Sequence, residues 1–260
     1  MNTDYQTPVE QHGEIWVKRD DLFEIAGVRG GKVRTCWHLA QGARGLVTAG
    51  SRQSPQVNIV AHIAERLGIP CRVHTPQGEL SPEVRDAQEH GAHVIQHKAG
   101  YNSVIIARAR EDAAQRPGWA EIPFGMECAE AVRQTRAQVR NLPRDATRLV
   151  MPVGSGMSLA GVLWGMRDNG WRIPVLGVTV GSDPTKRLHK YAPWDWDRNG
   201  WVSLAAPPNI DYHREVQAEI GGVLLDPVYE AKCRTFLRPG DVFWIVGVRA
   251  TAVSSQKAGA

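Results

Sequence analysis

The sequence predicts an α/β protein of two lobes, each a mostly parallel sheet flanked by helices. Two observations carry the prediction. Short apolar runs rich in β-branched residues alternate with amphipathic stretches, and glycines close several of those stretches. This alternation runs from residue 46 to residue 123, then resumes at residue 148, as two sheets would require.

In the first series, residues 46–50 read as a buried strand, and residues 56–67 as a helix ended by Gly68. Residues 71–74 form the second strand, and Ser81 caps a helix reaching His90. Residues 92–96 are the third strand, 102–115 the next helix and 120–123 a fourth strand. In the second series, residues 148–152 are a strand running into a glycine-rich turn, and residues 159–167 a helix. Strands follow at 175–180 and 242–246. Residues 191–209, rich in Trp, Pro and Asp and without a clear period, read as a loop or insertion. The tail beyond Ser254 reads as frayed. The division expected is a larger, cofactor-binding lobe of residues 1–44 and 119–260 and a smaller lobe of residues 45–118, with ligand in the cleft between them.

Composition narrows the classes. The chain has 260 residues, 42% hydrophobic and 22% charged, as soluble globular proteins do. It has no apolar run of membrane-spanning length and no secretory pattern at its start. Cys36, Cys71, Cys128 and Cys233 are widely spaced without a CxxC pair, so neither a metal site nor a disulfide framework is expected, and a reducing cytoplasm is. The net charge of +4 suits an anionic ligand and does not by itself predict nucleic-acid binding, because the basic residues are scattered among acids.

Three segments carry chemistry. Lys32 follows two glycines in Gly30-Gly31-Lys32-Val33-Arg34, so a flat ligand can approach its amine; taken locally, a surface loop is the better explanation. Gly154-Ser155-Gly156-Met157-Ser158 falls between a strand and a helix, where backbone N–H groups and the helix N-terminus could hold a phosphate, although an ordinary βα turn also favours glycine. Ser54, with Pro55 at the first helical position, is an N-cap whose helix end could also take a carboxylate. The run Leu225-Asp226-Pro227-Val228-Tyr229-Glu230 reads locally as helix punctuation, with Tyr229 in the core and Glu230 solvated.

Taken together these segments resemble the pyridoxal-phosphate enzymes of fold type II, the tryptophan-synthase-β-like superfamily. Within it they are most similar to the 1-aminocyclopropane-1-carboxylate deaminase and D-cysteine desulfhydrase family. The resemblance begins at Thr7-Pro8-Val9 and Val17-Lys18-Arg19-Asp20-Asp21-Leu22 and runs through Gly31-Lys32, Thr48-Ala49-Gly50, Ser54, Pro76-Gln77-Gly78, Tyr101-Asn102-Ser103 and the Gly154 turn to Tyr229-Glu230. It implies that pyridoxal 5'-phosphate is the cofactor and that Lys32 forms the Schiff base, the internal aldimine. It implies a phosphate cup of Gly154, Ser155, Gly156, Met157 and Ser158, and a substrate-facing Ser54 and Tyr229. Glu230 would lie against the pyridine nitrogen and keep it protonated. The desulfhydrase branch commonly has threonine there, so Glu230 leans toward the deaminase side. Three departures stand out. Gly31 replaces the asparagine before the lysine, Pro55-Gln56 replaces Asn-His, and residues 246–249 replace a His-Thr-Gly-Gly-like turn.

The resemblance implies a cytoplasmic, homodimeric lyase or deaminase acting on a small amino acid. One alternative is a decarboxylase, or another enzyme of the same cofactor whose amino acid is attached to a larger, nucleotide-like molecule; Trp194, Trp196 and Trp201 would suit stacking, although loop packing explains them more simply. A non-catalytic binder of the cofactor or of another phosphate ligand is the other alternative. Retention of both Lys32 and Glu230 argues against it.

Overall fold

The structure is a computed structural model describing residues 5–98, 100–198, 200–208, 212 and 214–249. The elements in chain order are β1 (Val9–His12), β2 (Ile15–Arg19), β3 (Glu24–Ile25), β4 (Val28–Arg29), α1 (Gly31–Ala40), β5 (Gly45–Ala49), α2 (Gln56–Leu67), β6 (Cys71–Pro76), α3 (Pro82–Glu89), β7 (Ala92–His97) and α4 (Asn102–Ala114). They continue with β8 (Trp119–Ile122), α5 (Ala129–Ala137), β9 (Arg148–Val153), α6 (Met157–Asp168), β10 (Val175–Thr179), α7 (Thr185–Tyr191), β11 (Val202–Ala205), β12 (Glu219–Ile220), β13 (Val223–Leu224) and β14 (Asp241–Ile245). Contacts divide the chain into a first unit, residues 1–23 and 128–247, and a second, residues 24–127 and 248–260. Residues 24–44 and 119–127, which the sequence reading places in the larger lobe, fall in the second unit. The reason is that β8 pairs with β5, and the β3–β4 hairpin and α1 pack on α2.

The first unit is built on a six-stranded sheet of order β1-β2-β14-β9-β10-β11. Only the β1–β2 pair is antiparallel; the rest pair in parallel. β9 and β14 are buried along nearly their whole length, which is why they read as continuous apolar runs. α6 lies close against α5 because Gly161 and Gly165 carry no side chain. A Cβ at Gly161 would sit 2.6 Å from Thr135 Cβ, and one at Gly165 2.6 Å from the Arg136 carbonyl oxygen. Asp241 is buried and takes two hydrogen bonds from the Arg148 guanidinium, at 3.0 and 2.7 Å, and one from the Arg238 N–H at 2.7 Å.

The 191–209 segment is not wholly a loop. Within it β11 pairs in parallel with β10, Val202 opposite Val175 and Ala205 opposite Val178. It is a four-residue edge strand, only half-buried, so it lacks the apolar run that marks the central strands. Its tryptophans divide: Trp196 is buried and Trp194 exposed. Asn209 and the tail beyond Ser254 lie outside the described residues.

The second unit holds a four-stranded parallel sheet of order β7-β6-β5-β8. Successive residues of β5 serve opposite faces. Val47 and Ala49 pack with Ile105 and Ala109 of α4, while the Thr48 hydroxyl donates to the Ile122 carbonyl and accepts from the Gln56 amide of α2. α2 ends at Gly68, whose φ of +67° is left-handed, and the Ser81 hydroxyl accepts from the Val84 N–H at 3.3 Å to cap α3. All four cysteines are free thiols; burial pushes Cys71 up to about 12 and raises Cys36 and Cys233 as well.

Candidate active site

In the first unit, β9 delivers the chain into the Gly154-Ser155-Gly156 turn, and α6 starts at Met157. Gly156 caps that helix with φ +91°, a conformation that favours glycine. The first N–H groups of α6 have no partner within the helix, so the turn presents donors and a positive helix end together. Both glycines are also needed for space. A Cβ at Gly154 would lie 3.2 Å from Tyr229 Cε1, and one at Gly156 3.1 Å from Pro184 Cβ. This is a cradle that side chains would fill, beside a helix N-terminus able to hold a phosphate. Ser155 and Ser158 are half-buried at its rim.

Tyr229 lies over this turn and is set by Asp226. One Asp226 carboxylate oxygen accepts from the Val228 N–H at 2.9 Å and the Tyr229 N–H at 3.0 Å. The Tyr229 hydroxyl meets the Tyr212 hydroxyl at 3.0 Å, with the rings edge to face. Glu230 begins the 3-10 segment Glu230–Phe236 and is 1% exposed. Its local reading is therefore reversed: Glu230 is buried and Tyr229 half-buried, because the segment packs on β9. The Glu230 carboxyl accepts from the Val246 N–H at 3.0 Å. Burial, the neighbouring Asp226 charge and Asp21 raise it well above the usual carboxylate range, against the lowering effect of the Val246 bond.

The second unit carries the other predicted residues. Lys32 is the second residue of α1, half-buried, after Gly30 at φ +111°. The β3–β4 hairpin leads into it through Ala26 at φ +56° and Gly27 at φ +80°. Ser54 is half-buried, and its hydroxyl oxygen accepts from the Gln56 N–H at 3.3 Å, so it caps α2 across Pro55, whose φ of −65° is helical. That bond occupies a lone pair and leaves the hydroxyl hydrogen for another acceptor. Gln56 is fully buried. Its amide donates to Thr48 Oγ1 at 2.9 Å and to the Pro123 carbonyl at 2.8 Å, and so ties α2 to β5 and to the end of β8. Sequence reasoning did not single out Tyr212 or Asp226. The Asp-Pro pair before Tyr229 was the available signal for the second, since aspartate caps N–H groups two and three residues on.

A glycine cradle at a helix N-terminus, with a buried carboxyl of raised pKa in the same unit, points to a class of cofactor protein. Residues 3–230 match the family model described as pyridoxal-phosphate dependent enzyme, and the chain belongs to that family. It is an enzyme whose cofactor is pyridoxal phosphate. It is 26% identical to a candidate 1-aminocyclopropane-1-carboxylate deaminase of Thermotoga maritima, over 86% of this chain and 83% of that one. It is also 26% identical to a D-cysteine desulfhydrase of Klebsiella pneumoniae, over 87% and 81%. Among solved structures, an ACC deaminase homologue superposes with a TM-score of 0.78 at 21% identity, covering 94% of this chain and 89% of that one. An L-serine ammonia-lyase of Rhizomucor miehei superposes with a TM-score of 0.67 at 16% identity, covering 98% of each. These likenesses show the fold type II architecture. No helix among the described residues is long and apolar enough to cross a membrane.

Proposed function

We propose that the protein is a lyase or deaminase acting on a small amino acid, with Lys32 as the lysine that carries pyridoxal phosphate. Bound pyridoxal phosphate supplies an electron sink for a carbanion at the substrate's α-carbon or its neighbours. The N–H groups of the 154–158 turn and the Ser155 and Ser158 hydroxyls hold its phosphate. Glu230, buried and raised by its burial and by Asp226, would face the ring nitrogen and share a proton with it. Lys32 Nζ would hold the cofactor and serve as the base that moves the proton at the substrate carbon. Ser54 uses its free hydroxyl hydrogen on the substrate carboxylate. The Tyr229 hydroxyl, shared with Tyr212, is the second proton carrier facing substrate.

The observation that carries this reading is Glu230, a fully buried carboxyl in the same unit as the glycine cradle. The likeness to a candidate 1-aminocyclopropane-1-carboxylate deaminase and to D-cysteine desulfhydrases favours deamination or desulfhydration, and glutamate at position 230 favours the first. A cytoplasmic homodimer completes the proposal.

The purified enzyme is expected to absorb in the violet, and Lys32→Ala to lose that band. Ammonia, sulfide and carbon dioxide release from D- and L-amino acids and from aminocyclopropane carboxylate then separate the reactions. A wild type that stays colourless after incubation with pyridoxal phosphate would sink the assignment of Lys32. Carbon dioxide as the released product would replace the lyase with a decarboxylase.

A further inference from the structure

A second cluster of chemically capable side chains lies in the second unit, built from α2 and α3. His62 and Glu65 come from α2, Asp86 from α3, and His90 from the residue that ends α3. One donor atom from each of His62, Asp86 and His90 lies within 4.8 Å of the other two. His62 Nδ1 is 2.9 Å from the Ala26 carbonyl, and His90 Nδ1 is 2.7 Å from a Glu65 carboxylate oxygen. A carbonyl and a carboxylate only accept, so both Nδ1 atoms carry hydrogen. In the neutral rings each Nε2 is then a lone pair. Both face Asp86: His62 Nε2 at 2.9 Å from one carboxylate oxygen and His90 Nε2 at 3.6 Å from the other. Lone pairs opposed at such distances call for a proton or a metal cation between them.

We propose that His62, Asp86 and His90 form a binding site for a divalent cation of the zinc class. Ligands about 2.0–2.1 Å from a tetrahedral ion stand roughly 3.3 Å from one another, and the two nitrogen-to-carboxylate separations bracket that spacing. Two imidazoles and one carboxylate suit zinc, cobalt or nickel rather than magnesium or calcium, and leave a coordination position open. The outer partners are those such sites use. Ala26 and Glu65 take the far N–H of each histidine. The two rings lie 3.5 Å apart, closer than two ligands of one ion hold theirs, so loading swings one of them outward. His90, more exposed than His62 and beyond the end of α3, is the one able to move. The absence of paired cysteines gave no hint of this site, because its ligands are histidines and an aspartate. A bound ion would clamp α2 to α3. Through the Ala26 carbonyl it would also hold the hairpin that precedes Lys32.

The test is calorimetric titration of the holoenzyme with zinc chloride, paired with visible spectra on cobalt addition. One saturable zinc equivalent and cobalt d–d bands are expected in the wild type. Asp86→Asn and His90→Gln, both at partly exposed positions, are each expected to weaken binding at least 10-fold and to abolish the rise in Tm that zinc gives the wild type. The proposal is overturned if the wild type shows no saturable binding at micromolar zinc. It is overturned equally if both variants bind and are stabilised as the wild type is, since the ion would then sit elsewhere.

Discussion

Glu230→Gln in the cofactor-free protein separates a carboxyl stored as an acid from one stored as a charge. The folded chain raises Glu230 above its ordinary value, chiefly by burial and then by Asp226. Between the unfolded value, about 4.3, and the folded one, the unfolded chain has released this proton while the folded chain keeps it. Fewer protons bound in the unfolded state means that stability falls as pH rises. The slope for one such group is about 1.4 kcal/mol per pH unit across that window. Glutamine keeps the bond from the Val246 N–H and cannot ionise. The difference in stability, variant minus wild type, should therefore be small near pH 4 and grow in the variant's favour as pH rises toward neutrality. Urea unfolding of both proteins, stripped of cofactor and measured at half-unit pH intervals, reads this directly. Adding pyridoxal phosphate should reverse the order, because the wild type then gains a partner for its carboxylate. Parallel stability curves for the two stripped proteins would refute the argument, since Glu230 would then titrate alike in the folded and unfolded chain.

Further outcomes follow from other positions. Gly156→Ala places a Cβ at φ +91° and 3.1 Å from Pro184, and should cost about 1–2 kcal/mol of stability; it should also weaken cofactor affinity, read by equilibrium dialysis. Asp241→Ala strands Arg148 and the Arg238 N–H, with an expected loss of about 3–5 kcal/mol in chemical denaturation. Gln56→Ala removes the link between α2, Thr48 and the Pro123 carbonyl, and should lower stability by about 1–3 kcal/mol, while substrate KM stays within a factor of two. A large KM change without loss of stability would show that Gln56 faces substrate instead.

The second unit was legible in the sequence because local signals and tertiary demands agree there. The buried run of β5, the Gly68 stop and the Ser81 cap each fix an element by chemistry within a few residues. β11 was missed because an edge strand needs no apolar run, and its identity comes from β10 beside it. β2 escaped for a related reason: beyond its hairpin partner β1, it pairs with β14, more than 200 residues away in the chain. Lys32 and the Gly154 turn were visible as motifs. The burial of Glu230 was not, since it depends on β14 passing close enough for Val246 to donate to it. The cluster at His62 was hidden for the same reason. Asp86 and His90 stand one helical turn apart in sequence, but only the packing of α2 on α3 adds His62.

The two glycines buried in α6 have a consequence for ligand capture. Close approach to α5 at Gly161 and Gly165 prevents α6 from sliding or rolling without a clash, and the Gly156 turn is its first residue's neighbour. The backbone donors of this turn are therefore ordered when the chain folds, before any ligand arrives. Little further entropy is lost at this end of the site when a phosphate docks. Amide exchange in α6 should accordingly be slow with or without ligand.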